Sequence, residues 1–162
     1  MTVYWAPLLH VYQPPWQDVE ILKQIYHDCY NPLLSMMERH KNISITLNIQ
    51  GCLLEQLKKL NLEEAYQKTK NLLLNKKAEL TGSGKFHPIL PLIPQNEITH
   101  QIRTNEKTLQ KFFPDVQIHG FFPPEMAVSN SLCDSVHQLG YRWIIMDGIA
   151  NTNHWPYNQI HT

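Results

Sequence analysis

The sequence lacks paired cysteines, an excess of either charge and any long apolar run, and each absence narrows what the chain can do. Its three cysteines, Cys29, Cys52 and Cys133, are far apart and never in a C-x-x-C spacing. They suggest neither a disulfide framework nor a zinc knuckle, and a reducing cytoplasm is the expected compartment. Lys plus Arg number 14, as do Asp plus Glu, giving zero formal charge. With no block of like charge, neither a nucleic acid nor an anionic membrane is expected as a partner. No segment approaches the roughly 20 apolar residues of a membrane span, and Met1 to Trp5 has neither a basic n-region nor a small-residue cleavage site. The nine histidines, several of them (His10, His87, His119, His154) near expected strand ends, form no H-x-H or H-x-x-x-H pair. No metal or cofactor is therefore expected.

What remains is enough for one domain: 162 residues bury about two-thirds of the surface an unfolded chain exposes. Strand and helix alternate. The apolar run Val3 to Leu9 reads as a strand delivering the polar, proline-rich loop His10 to Trp16. Ile21, Ile25, Cys29 and Leu33 mark an amphipathic helix that Pro32 should kink or split. Ile43 to Asn48 alternates apolar and polar residues as a second strand, with a helix starting near Leu53. Asn61 and Glu64 resemble a capping box opening a helix to Leu74. Ala78 to Thr81 is a third strand, followed by an irregular segment to Pro94. Ile98, Ile102, Leu109 and Phe112 then mark a helix face, Val116 to Phe122 a fourth strand, and Leu132, Val136 and Leu139 a helix capped by Ser129 and stopped by Gly140. Tyr141 to Met146 is the fifth strand. Such alternation indicates an α/β chain with parallel pairing through right-handed crossovers. The loops from His10, Asn48, Glu79, Pro123 and Asp147 are then expected at the carboxyl ends of the strands, on one rim.

Three constellations carry chemistry. Phe121-Phe122-Pro123-Pro124-Glu125-Met126-Ala127 braces a carboxylate behind two φ-restricted prolines, as a nucleophile requires. Equally, Glu125 could open the next helix and offset its free amide donors. Leu9-His10-Val11-Tyr12-Gln13-Pro14 gathers imidazole, phenol and amide, suited to sugar hydroxyls and faces, or else is a loop with half-buried aromatics. Glu79-Leu80-Thr81-Gly82-Ser83-Gly84-Lys85-Phe86-His87-Pro88 fits neither phosphate-loop nor dinucleotide spacing. A charge at Glu79 in a short buried strand is costly unless it points to a polar site. Met36, Met37 and the leucines read as core.

Residues 9–14, 79–91 and 120–127, in chain order, resemble the first three sequence regions of glycoside hydrolase family 57. The resemblance implies an incomplete (β/α)7 barrel acting on α-glucans by the retaining mechanism, in which one carboxylate attacks and a second serves as acid and base. By position Glu125 resembles the nucleophile, and His10, Gln13, Glu79 and His87 resemble residues that hold the sugar. Tyr12 occupies the place of a second histidine usual in the family's first region. The family's acid/base aspartate follows the third region on a later strand, and Asp147 is in no such motif.

About five strands are therefore expected in residues 1–162, as the amino-terminal portion of a truncated seven-stranded barrel. The partner implied is an oligo- or polysaccharide, with a homodimer through the open sheet edge as one way to cover it. Two rival functions are a non-catalytic carbohydrate-binding or assembly module lacking the acid/base, and a metal-dependent polysaccharide deacetylase on a related barrel.

Overall fold

Period-two alternation divides the strands into an apolar and a polar face, and the fold follows from how each is covered. The computed structural model describes residues 5–40 and 42–148; Val3 and Tyr4 of the expected first strand, and His154, lie outside them. Strands β1 (Leu8–Val11), β2 (Ile45–Ile49), β3 (Ala78–Gly82), β4 (Gly120–Phe121) and β5 (Trp143–Ile144) form one sheet. All neighbours are parallel, in the order β1-β2-β3-β4-β5. Because every crossover steps to the next strand with the same hand, the helices gather on one face. This is an α/β open sheet of five parallel strands, consistent with part of a (β/α)7 barrel.

Leu9, Val11, Ile45, Leu47, Ile49, Ala78 and Leu80 point to the helices. They pack with Leu22, Leu34, Met37, Leu57, Leu72 and Leu73 in the larger core. Phe121 and Ile144 join Ile98, Ile102, Leu132, Val136 and Tyr141 in a second cluster. The alternate residues, His10, Thr46, Asn48, Glu79 and Thr81, occupy the helix-free face, which is polar.

Helix α1 (Val19–Ile25) is capped by the Asp18 carboxylate, which accepts from the amides of Glu20 and Ile21. A wide turn at Tyr26–Tyr30 separates it from α2 (Asn31–Arg39), whose second residue is Pro32. Proline cannot donate to the carbonyl a turn behind it, and the ladder reconnects through Asn31 N to Tyr26 O. Of the expected kink or split, the structure shows a widened turn before Pro32 with the backbone helical on either side of it. The buried stripe is Leu22, Tyr26, Tyr30, Leu34 and Met37, however, whereas Ile21, Cys29 and Met36 are exposed.

α3 (Gly51–Lys59) and α4 (Glu63–Leu74) are joined at Asn61, which does not cap α4 as the sequence suggests. Asn61 has φ 57° and terminates α3: its amide donates to Lys58 O, and that of Leu62 to Leu57 O. Paired bonds of this kind close a helix through a left-handed residue. Gly140, φ 95°, ends α6 (Asn130–Gln138) in the same way, as expected, and Ser129 caps its start. α5 (Gln95–Phe112) crosses between β3 and β4.

β4 and β5 are shorter than the sequence implies. Residues 116–119 are extended by pattern yet do not pair with β3, whose register with β4 begins only at Thr81 opposite Gly120. Upstream, Ala78, Glu79 and Leu80 share with Val116, Gln117 and His119 the lining of an open cavity of about 750 Å³.

Candidate active site

The carboxyl ends of β1, β2 and β3 are tied by a chain of side-chain hydrogen bonds across the polar face. His10 pairs in register with Asn48, and its Nδ1 lies 2.7 Å from Asn48 Oδ1. Asn48 Nδ2 donates to Thr81 Oγ1 at 2.9 Å. Just above, Gln50 Nε2 donates to Ser83 Oγ at 3.0 Å. Asn48, Gln50, Thr81 and Ser83 are fully buried, so these bonds offset desolvation that would otherwise cost a few kcal/mol per group.

Above this floor stands a group of stacked rings. His87 comes from the loop after β3, at φ 57°. Its ring lies 4.5 Å from Tyr12, nearly parallel, and 4.8 Å from His10. Phe122, at the end of β4, stacks on His10 at 5.0 Å. Burial holds the His87 pKa below the ordinary imidazole range; a nearby His10 acts in the same direction and Glu125 against it. Its Nε2 is buried with no hydrogen-bond partner.

Glu125 projects over these rings. Pro123 and Pro124 fix the approach, and Glu125 itself takes φ 57° and ψ 17° within a single turn, Pro124–Met126. Such a left-handed backbone costs a non-glycine residue about 1–2 kcal/mol. The turn is closed by Met126 N to Pro123 O and Ala127 N to Pro124 O. α6 begins only at Asn130, so Glu125 does not open it. Its side chain is 65% exposed, with Oε1 3.6 Å from His87 Nδ1.

Gln13 borders the same rim but is engaged in bracing it. Its Nε2 donates to Tyr30 Oη, and its Oε1 accepts from Gln17. Glu79 is not gathered with the others. It is the second residue of β3, opposite Thr46, and lies towards the amino end of the strand. The expectation of a carboxyl-end position is corrected accordingly: Glu79 shares the polar face with Thr81 but lies about 7 Å lower, at the rise of a parallel strand. Among the described residues, no three His, Cys, Asp or Glu side chains are grouped to hold a metal ion.

A buried support connects the loop of His87 to α3 and α5. Lys85 Nζ lies 2.8 Å from Glu55 Oε1 and donates to Thr108 Oγ1 at 3.1 Å. The amide of Gly51 donates to Asn105 Oδ1 at 2.8 Å.

The description Glycosyl hydrolase family 57 matches residues 7–161. The chain belongs to that family. An α-amylase of Pyrococcus horikoshii is 26% identical over 157 residues, covering 92% of this chain and 24% of the relative. Among solved structures, the 4-α-glucanotransferase of Thermococcus litoralis superposes with a TM-score of 0.81 at 20% identity, over 88% of this chain and 22% of that one. A CE4 family pseudoenzyme of Bacillus anthracis shares the fold more distantly, with TM-score 0.57 at 15% identity, over 86% of this chain and 42% of its own. The family 57 chain described here thus spans about a quarter of the amylase it matches.

Asn48, Thr81 and Phe122 contact this rim in the family 57 chain, and the sequence assigned none of them an individual role. The signal for the first two is period two: Thr46 and Asn48, like Glu79 and Thr81, are the polar members of alternating strands.

Proposed function

We propose that this chain supplies the nucleophile-bearing part of a retaining α-glucan hydrolase or transglycosylase, with Glu125 as nucleophile. The observation that carries the reading is the rim itself: an exposed carboxylate on a braced turn, 3.6 Å from a buried imidazole, above a stacked group of His10, Tyr12, His87 and Phe122 in a family 57 chain. An ionised Glu125 attacks the anomeric carbon as the glycosidic C–O bond breaks and the departing oxygen takes a proton from the acid/base; water or a second sugar, giving its proton back to that group, then displaces the Glu125 carboxylate from the glycosyl ester. His10 and His87 hold hydroxyls beside the cleavage point, Gln13 holds the loop and offers its remaining amide valences, and Glu79 belongs to the polar floor beneath.

In this reading residues 1–162 are the amino-terminal part of the barrel, and the acid/base aspartate comes from a later strand of a longer protein. The test is turnover of maltooligosaccharides by the protein in its natural length, with the anomeric configuration of the first product followed by NMR. The first product is expected to keep its α configuration, and Glu125→Gln to lose about 10³-fold or more in kcat. Full activity in that variant removes Glu125 from the mechanism. Saccharide binding without turnover by the wild type makes the protein a carbohydrate-binding module instead.

A further inference from the structure

The geometry points to Asn48 as a positioning residue that holds His10 as its Nδ1–H tautomer, leaving the Nε2 lone pair as acceptor for a saccharide hydroxyl. The saccharide part rests on the glycosidase reading above; the tautomer does not.

An amide offers two chemically different ends, and both ends of Asn48 are engaged. Its NH₂ group donates to Thr81 Oγ1 at 2.9 Å. Its carbonyl faces His10 Nδ1 at 2.7 Å. A carbonyl oxygen has no proton to give, so the proton in this short contact resides on Nδ1. A neutral imidazole protonated at Nδ1 carries its lone pair on Nε2.

Thr81 Oγ1, accepting from the other end of the amide, supports this arrangement. Asn48 is fully buried on the polar face of β2, between β1 and β3, and reversing the amide would turn its donors to the ring. The Phe122 ring, 5.0 Å away and inclined by only 20°, holds the plane of His10. His10 itself is exposed, and with Nδ1 tied down to β2 the edge bearing Nε2 is turned outward. Asn48 therefore acts on substrate only through His10. It determines whether the rim offers an acceptor or a donor at this point, and a sugar hydroxyl can satisfy an acceptor with its own O–H.

The test is the ¹⁵N spectrum of the full chain labelled at histidine, recorded near pH 8.5, well above the usual imidazole pKa of about 6.5. The His10 resonances are assigned by their loss in His10→Asn. Expected are a pyrrole-type Nδ1 and a pyridine-type Nε2; the reverse pattern overturns the proposal. Asn48→Asp, which can only accept, should keep the Nδ1–H form. Asn48→Leu should lose it for a mixture or the Nε2–H form, and a variant that keeps pure Nδ1–H overturns the role of Asn48. Should Asn48→Leu fail to fold, as the other imidazole signals would reveal, Asn48→Ser, too short to reach the ring, decides in the same way. Adding maltoheptaose should then move Nε2 and leave Nδ1 pyrrole-type; a sugar that shifts other site resonances but not Nε2 overturns the acceptor assignment. A chain with no glucan turnover leaves the tautomer result intact, so the two readings fail separately.

Discussion

Glu125 Oε1 lies 3.6 Å from His87 Nδ1, and the two residues, from loops after different strands, both hold a backbone φ of 57°. Each loop accepts a disfavoured backbone, and the result is a carboxylate beside an imidazole that burial keeps short of its proton. The separation is longer than a hydrogen bond, which leaves the carboxylate free to act on something else.

That relationship sets a pH dependence. The folded pKa of His87 is lowered, so between that value and about 6.5 the unfolded chain binds more protons than the folded one. Stability should therefore rise with pH through this window and fall on acidification below about 6.5. Denaturant midpoints from pH 5 to 8 are expected to show part of this acid-side fall in wild type and to lose it in His87→Gln. In Glu125→Gln the carboxylate charge that raises the His87 pKa is gone, and its NMR titration should move to still lower pH.

The cysteines should react in a fixed order. Burial pushes the Cys52 thiol up to about 11, leaving almost no thiolate at pH 8, whereas Cys29 is exposed. Iodoacetamide at pH 8 should label Cys29 first and reach Cys52 only with denaturant, as read by mass spectrometry of the peptides. Rapid native labelling of Cys52 contradicts its burial.

Two glycines should differ in why they resist substitution. A Cβ at Gly82 would meet Tyr141 Oη at 2.1 Å and its ring at 2.4 Å, inside a packed cluster, so Gly82→Ala should cost about 1–3 kcal/mol by overpacking. At Gly140 the space is open but φ is 95°, and Gly140→Ala should cost about 1–2 kcal/mol through backbone strain alone. Urea unfolding separates the two, and Tyr141→Phe, which shortens the obstacle, should partly rescue only Gly82→Ala.

The Lys85–Glu55 pair should respond asymmetrically. Side-chain exposure is 10% for Lys85 and 48% for Glu55, so removing the glutamate strands a buried ammonium while removing the lysine frees a carboxylate that water can reach. Glu55→Ala is expected to cost about 1–3 kcal/mol and Lys85→Met less, again by urea unfolding.

The parts of this molecule legible in its sequence are those in which local chemistry and tertiary setting agree. Ile45-Thr46-Leu47-Asn48 reads as a half-polar strand because one face meets helices and the other a polar interior. Ser129 and Gly140 read as helix ends because each satisfies backbone groups within a few residues. Failures occur where distant geometry decides. Asn61 and Glu64 have capping-box spacing, yet Asn61 is claimed first by the end of α3. Residues 116–119 have strand pattern, but β3 and β4 meet only above the 750 Å³ cavity. Residues 9–14, 79–91 and 120–127 indicated the family, and the approach of His10, His87 and Glu125 required the register of the strands beneath them. Glu79 belonged to the same motif and lies lower for the same reason.

The two-faced sheet has a consequence for how such a chain can change over time. Positions on the apolar face and positions on the polar face are interleaved along one strand, so an exchange at Thr81 leaves Leu80 among the helices and is felt instead by Asn48, whose amide donates to it. Loss or gain of a single residue within β2 is a different event: it would rotate Asn48 into the leucines and Leu47 onto the polar face, disrupting both faces together. Homologues should accordingly differ in the side chains of β2 far more often than in its length.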